Sequence, residues 1–173
     1  ESMSGITTTG STVIMDIESS PPGVLVWRSL LQWLGGIGVI VMAIAIFPML
    51  SVGGMQLFKT ENFEAPEKVI PRATSLARGI FIIYSVLTLV WATLLYFSGM
   101  YAFDAILHSM TTIATGGYST KTNSIGAFNS DIIDWVIIIG MIMGSLPFIH
   151  YLALTRGSFL SLIHISEPTR QEA

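Results

Sequence analysis

Between Ser29 and Leu50 the chain has no charged side chain for about 22 residues, and Gly79–Ser98 and Trp135–Leu154 are uncharged for about 20 each. At about 1.5 Å rise per residue, helices of this length cross the ~30 Å hydrocarbon core of a bilayer. Composition agrees: 51% of residues are hydrophobic, 11% are charged and mean hydropathy is +0.68, whereas soluble domains are about 25% charged. The chain reads as an all-α membrane protein whose solvent is the lipid bilayer. Its basic residues are few and scattered, so no nucleic acid is expected as a partner. The absence of cysteine removes disulfides and thiolate metal sites.

A second feature is an internal repeat. Glu1–Val13 aligns without a gap on His108–Thr120, pairing Ser2 with Ser109, Met3 with Met110, Ser4 with Thr111, Ile6 with Ile113, Thr8 with Thr115, Gly10 with Gly117 and Thr12 with Ser119. Each copy is a run of hydroxyl and small residues that reaches a glycine, and each precedes a long apolar segment. This suits a re-entrant loop whose carbonyls face a water-filled path.

In chain order, Asp16–Gly23 is a polar turn with Pro-Pro and Pro-Gly steps, expected outside the bilayer. Trp27, Arg28 and Trp33 are expected at headgroup level at the start of the first span. Gly35, Gly36 and Gly38 are read as close helix packing rather than a hinge. Gly53–Arg78 carries Lys59, Lys68, Arg72 and Arg78 and is predicted cytoplasmic by the positive-inside rule, as a solvated linker or a docking surface. Ala102–Ile113 has a helical pattern but is too short to span, so it is predicted to be a half-helix entering from outside and stopping at Thr115-Gly116-Gly117. Its C-terminal dipole end would favour a cation. Pro147 is the expected kink of the third span, and Arg156 lies past it on the cytoplasmic side.

A dehydrating monovalent cation needs several oxygen ligands at once, and backbone carbonyls of converging loops supply them. Glycine reaches positive φ and leaves the path open, while threonine adds oxygen without fixed charge. The candidate K+ ligands are Thr8, Thr9 and Gly10 in one loop and Thr115, Gly116 and Gly117 in the other. His108 and His150 lack a companion at metal-ligand spacing and are read as packed or hydrogen-bonded residues. Lys121 is read as a solvated base. Asp16, Glu18, Asp131 and Asp134 either concentrate cations or solubilise loops. With no Ser/His, Asp/Asp or metal constellation, the chain is not expected to be an enzyme. A secondary transporter of another solute with discontinuous helices is the alternative.

Four segments resemble the Trk/Ktr/HKT superfamily of potassium transporters, most closely its bacterial TrkH/TrkG branch. They are Ser4–Val13, Trp27–Gly38 (WRSLLQWLGGIG), Val52–Phe58 (VGGMQLF) and Thr112–Thr120 (TIATGGYST). The resemblance covers roughly residues 1 to 157. It implies a pore fold like that of K+ channels, made of four repeats of outer helix, re-entrant pore loop and inner helix, each loop with one filter glycine. Gly10 and Gly117 would be two of those glycines. Residues 1–50 would then end an incomplete first repeat, with inner helix 29–50. Residues 51–78 would form a cytoplasmic loop. Residues 79–157 would form repeat two, with outer helix 79–98, pore half-helix 102–113, filter 114–120 and inner helix 135–154. Gly-Ser-Leu-Pro-Phe at 144–148 departs from the family pattern, and the tail 158–173 is expected to be non-native. The resemblance further implies potassium uptake across the bacterial inner (plasma) membrane as the transmembrane subunit of a Trk-type system. It implies a multi-pass chain completed by its remaining repeats, a homodimer, and a cytosolic nucleotide-binding regulatory subunit like TrkA.

Overall fold

The structure, a computed structural model, describes residues 1–50, 69–148 and 150–151. Its elements are α1 (Ser2–Ile6), α2 (Pro22–Leu50), α3 (Val69–Phe97), α4 (Ala102–Ile113), a 3-10 turn over Ser124–Phe128 and α5 (Asp131–Ser145); no strand occurs among the described residues. Two stretches of these helices are long and apolar enough to cross a membrane: Pro22–Met42, with mean hydropathy 1.6, and Leu76–Phe97, with 2.2.

The helices outrun the uncharged stretches that announce them. α2 starts at Pro22, inside the segment read as a polar turn, because a proline in the first helical position loses no hydrogen bond and has a suitable φ. α3 starts at Val69, so the loop read over 51–78 is shorter than expected; Pro71 falls in the first turn, where a helix tolerates it. Absence of charge marks where lipid is, and a helix continues past that limit. The rest of that loop, Lys59 included, lies outside the described residues, as does the tail 158–173.

The helix read over 135–154 starts earlier than expected and is interrupted at the proline read as its kink, while residues 152–154 lie outside the described residues. It begins at Asp131, with Asp131 and Asp134 in the first turn, where the helix dipole favours carboxylates. It is broken at Leu146, which is extended (φ −69°, ψ 142°) as a residue before proline tends to be, and becomes helical again at Phe148. Pro147 has no N–H to give the Met143 carbonyl one turn back. The Tyr151 hydroxyl donates to that oxygen instead, at 2.7 Å.

The core forms where α3 crosses the other helices. Ile80, Tyr84 and Trp91 of α3 pack with Ile113, Ala114 and Phe148. Leu95, Met100, Ala105, Ile133 and Ile137 form a second cluster. Polar tips on aromatic side chains tie the seams: Trp33 Nε1 donates to Thr88 Oγ1 at 3.0 Å, Tyr84 Oη to the Trp33 carbonyl at 3.1 Å, and Trp91 Nε1 to the Val136 carbonyl at 2.9 Å. Trp33 therefore sits in the α2–α3 seam. Gly36 permits this seam, since a Cβ there would lie 2.6 Å from Tyr84 Oη and 3.2 Å from Ala114 Cα, whereas one on Gly38 would meet nothing within 4 Å. Leu89, Leu94, Phe97, Trp135 and Ile139 are exposed, an apolar outer surface suited to lipid.

Candidate ion-coordinating loops

Both copies of the repeat end a helix in the same way. At the end of α1 the Thr8 N–H donates to the Gly5 carbonyl at 3.0 Å and the Thr9 N–H to Ser4 at 3.0 Å. At the end of α4 the Thr115 N–H donates to Thr112 at 3.0 Å and the Gly116 N–H to Thr111 at 2.9 Å. This is the Schellman pattern, which needs a left-handed residue just past the helix. α3 ends likewise, with Gly99 there at φ +105°. The two loops place a threonine in that position, Thr8 at φ 55° and Thr115 at φ 54°. For a β-branched residue this conformation is an outlier costing about 1–2 kcal/mol. The two Schellman bonds, each contributing about 0.5–1.5 kcal/mol, offset it. Two residues on, Gly10 and Gly117 again share positive φ, at 79° and 81°.

The six candidate ligands fall into two adjoining strips. Thr8 and Gly10 are half-buried, Thr9, Thr115 and Gly117 exposed, and Gly116 buried. Gly10 lies against the carbonyl of Gly116, and a Cβ on Gly10 would be 2.1 Å from that oxygen. Thr8 and Thr115 both border a cavity of about 600 Å³ whose wall includes Val39, Ile40, Ile80 and the Leu146–Pro147 break. On the other side of Thr115, Gly116 and Gly117 line a second cavity of about 390 Å³ with Ser119 and Met141.

Polar side chains hold the loops from behind. On α4, Thr111 Oγ1 donates to the Tyr118 carbonyl at 2.9 Å, His108 Nε2 lies 2.9 Å from Ser119 Oγ, and Thr120 Oγ1 donates to Asp104 Oδ1 at 2.6 Å. One face of α4 thus binds three consecutive residues of the chain leaving the loop. In the first copy Glu1 takes the place of His108, and its Oε1 accepts the Val13 and Ile14 N–H groups at 2.7 and 3.2 Å. From α2, the fully buried Gln32 accepts the Tyr118 N–H on Oε1 at 3.1 Å. A Cβ on Gly116 would be 2.4 Å from the Gln32 carboxamide.

Arg28 differs from its expected place. It is 3% exposed and paired with Glu1 at 2.9 Å, so it is not a snorkelling headgroup residue, whereas its neighbour Trp27 is exposed. Sequence reasoning missed Gln32 and the inward role of Arg28. Their signal was present, because a polar side chain inside an apolar helix has a task by default, and these two lie four residues apart on one helix face.

A model of the TrkH family, described as a cation transport protein, matches residues 1–167. The chain belongs to the TrkH family. Its match extends into the segment 158–167, the first part of the stretch read as a non-native tail. Among the relatives of this TrkH-family chain, the Trk system potassium uptake protein TrkI of Halomonas elongata is 45% identical over 164 residues, 94% of this chain and 33% of that protein. The Trk system potassium uptake protein TrkH of Escherichia coli K12 is 44% identical over 165 residues, again 94% of this chain and 34% of that protein. The crystal structure of the potassium transporter TrkH from Vibrio parahaemolyticus superposes with a TM-score of 0.75 at 38% identity, covering 90% of this chain and 30% of that one. The chain thus spans about a third of the length of the curated relatives it matches.

Proposed function

We propose that this chain supplies two filter loops of a Trk-type potassium uptake system, with K+ as the transported substrate. The observation that carries the reading is the duplicated loop: two segments far apart in the chain share left-handed threonines, positive-φ glycines and the same helix-ending hydrogen bonds. Repetition at that level of backbone detail suits a symmetric ring of carbonyl ligands around one axis. In this reading α2 is the inner helix of one repeat. α3, α4 and the broken helix starting at α5 are the outer helix, half-helix and inner helix of the next. α4 ends at the loop, so its partial negative charge favours a cation there. The 600 Å³ cavity below Thr8 and Thr115 is where the ion leaves the loops toward the cytoplasm. Arg28 and Gln32 both bond to the loops rather than facing a separate cavity, which weighs against a transporter of larger solutes. The relatives are named potassium uptake proteins of a Trk system, which supports K+ as the substrate. Residence in the bacterial inner membrane, completion by further repeats of the same chain, a homodimer and a TrkA-like cytosolic regulatory subunit belong to the reading as what the family resemblance implies.

The test uses the full-length transporter carrying this segment, in cells lacking other potassium uptake. Gly117→Ser is expected to weaken discrimination of Rb+ over Na+ during uptake, since φ +81° strains any side chain and shifts the carbonyls. Unchanged discrimination at normal flux would remove Gly117 from the filter.

A further inference from the structure

Arg28 and Gln32 stand one turn apart on α2, the helix that follows the first loop, yet both reach the second loop. The Arg28 guanidinium donates from Nε to Glu1 at 2.9 Å and from Nη2 to Thr12 Oγ1 at 2.8 Å, both in the first copy. The same group reaches the Ser119 carbonyl from Nη1 at 3.5 Å and lies 4.2 Å from the centre of the Tyr118 ring. Tyr118 returns to the first copy, its hydroxyl donating to the Glu1 carbonyl at 2.9 Å. A planar fork with five donors can serve all of these positions together, and an ammonium cannot. Below it, Gln32 accepts the Tyr118 N–H and its carboxamide fills the space against Gly116.

We propose that Arg28 and Gln32 are positioning residues that fix the two loops against each other, and thereby set ion discrimination without touching the ion. The inference rests on the reading of the loops as a filter. Each loop is anchored to its own half-helix, so those anchors leave the spacing between loops free. Gly10 lies directly against the Gly116 carbonyl but makes no hydrogen bond there, and the hydrogen bonds that tie the copies together run through α2 and Tyr118. A shift of a few tenths of an ångström in that spacing would change the fit of a ring of carbonyls to one cation over another.

The experiment measures Rb+ uptake with Na+ as competitor in the full-length transporter, taking the ratio of the two apparent affinities at matched protein amounts in the membrane. Arg28→Lys keeps the charge and loses the fork; Gln32→Met keeps the volume and loses the acceptor. Both are expected to lower the ratio about tenfold, an effect that a change in folded amount alone does not produce. A reduced ratio in both supports the inference. An unchanged ratio in both, while Gly117→Ser reduces it, overturns the inference and leaves the filter reading standing. An unchanged ratio in Gly117→Ser overturns the filter reading and the inference with it. Thr12→Val, at an exposed position, decides the matter where the buried variants do not reach the membrane. There a lowered ratio supports the inference and an unchanged one overturns it.

Discussion

Gly10 lies so close to the carbonyl of Gly116 that a Cβ on Gly10 would stand 2.1 Å from the oxygen, whereas a Cβ on Gly117 would meet nothing within 4 Å. The two glycines share positive φ and hold equivalent places in the repeat, but they carry different burdens. Gly10→Ala must push two backbones apart, and Gly117→Ala has only its own backbone strain to bear, about 1–2 kcal/mol. We predict that Gly10→Ala lowers both the thermal stability of the purified full-length protein and its amount in the membrane. Gly117→Ala should leave the amount near wild type. Equal losses would contradict the close approach of the loops.

Gly36 and Tyr84 give a test of the seam between α2 and α3. Gly36→Ala forces a methyl against Tyr84 Oη, overpacking that costs about 1–3 kcal/mol. Tyr84→Phe removes the clash along with the bond to the Trp33 carbonyl, a loss of about 1 kcal/mol. In a double-mutant cycle the combined variant should be more stable than the sum of the two effects. Additive losses would show that the hydroxyl and the glycine do not meet.

Topology is tested with single cysteines. Ser19 and Ser124 are exposed at the ends of segments assigned to the outer surface, and Asn62 belongs to the stretch assigned to the cytoplasm. An impermeant thiol reagent added outside should label cysteines at the first two positions, and label the third only after the membrane is opened. Labelling of Asn62→Cys and Ser124→Cys from the same side would contradict the re-entrant course of α4 and its loop.

What could be read without coordinates was whatever depends on short-range rules. The twelve-residue length of α4, its ending near Thr115 and the equivalence of Gly10 with Gly117 follow from hydropathy, glycine and the aligned repeat. Helix starts were less legible. Pro22 and Val69 lie in polar or mixed sequence, and a charge-free window reports the lipid boundary instead. The break at Leu146–Pro147 was visible as a kink, but the hydroxyl of Tyr151 that replaces the missing donor was not, because that bond depends on how the chain turns after Pro147. Arg28 was assigned to the headgroups on its place at a helix start. Its ion pair with Glu1 joins residues that are adjacent only once α1 has packed on α2, and no helical periodicity reports such a contact.

The central claim is that Thr8–Gly10 and Thr115–Gly117 present carbonyl oxygens to one transported cation. The most direct measurement is anomalous diffraction from crystals of the full-length transporter grown in Rb+ or Tl+, compared with crystals grown in Na+. The account predicts an anomalous peak on the axis between the two loops, within coordination distance of carbonyls from both, and its loss in Gly117→Ser. A peak bound elsewhere, or none between the loops in protein that still takes up Rb+, would contradict it.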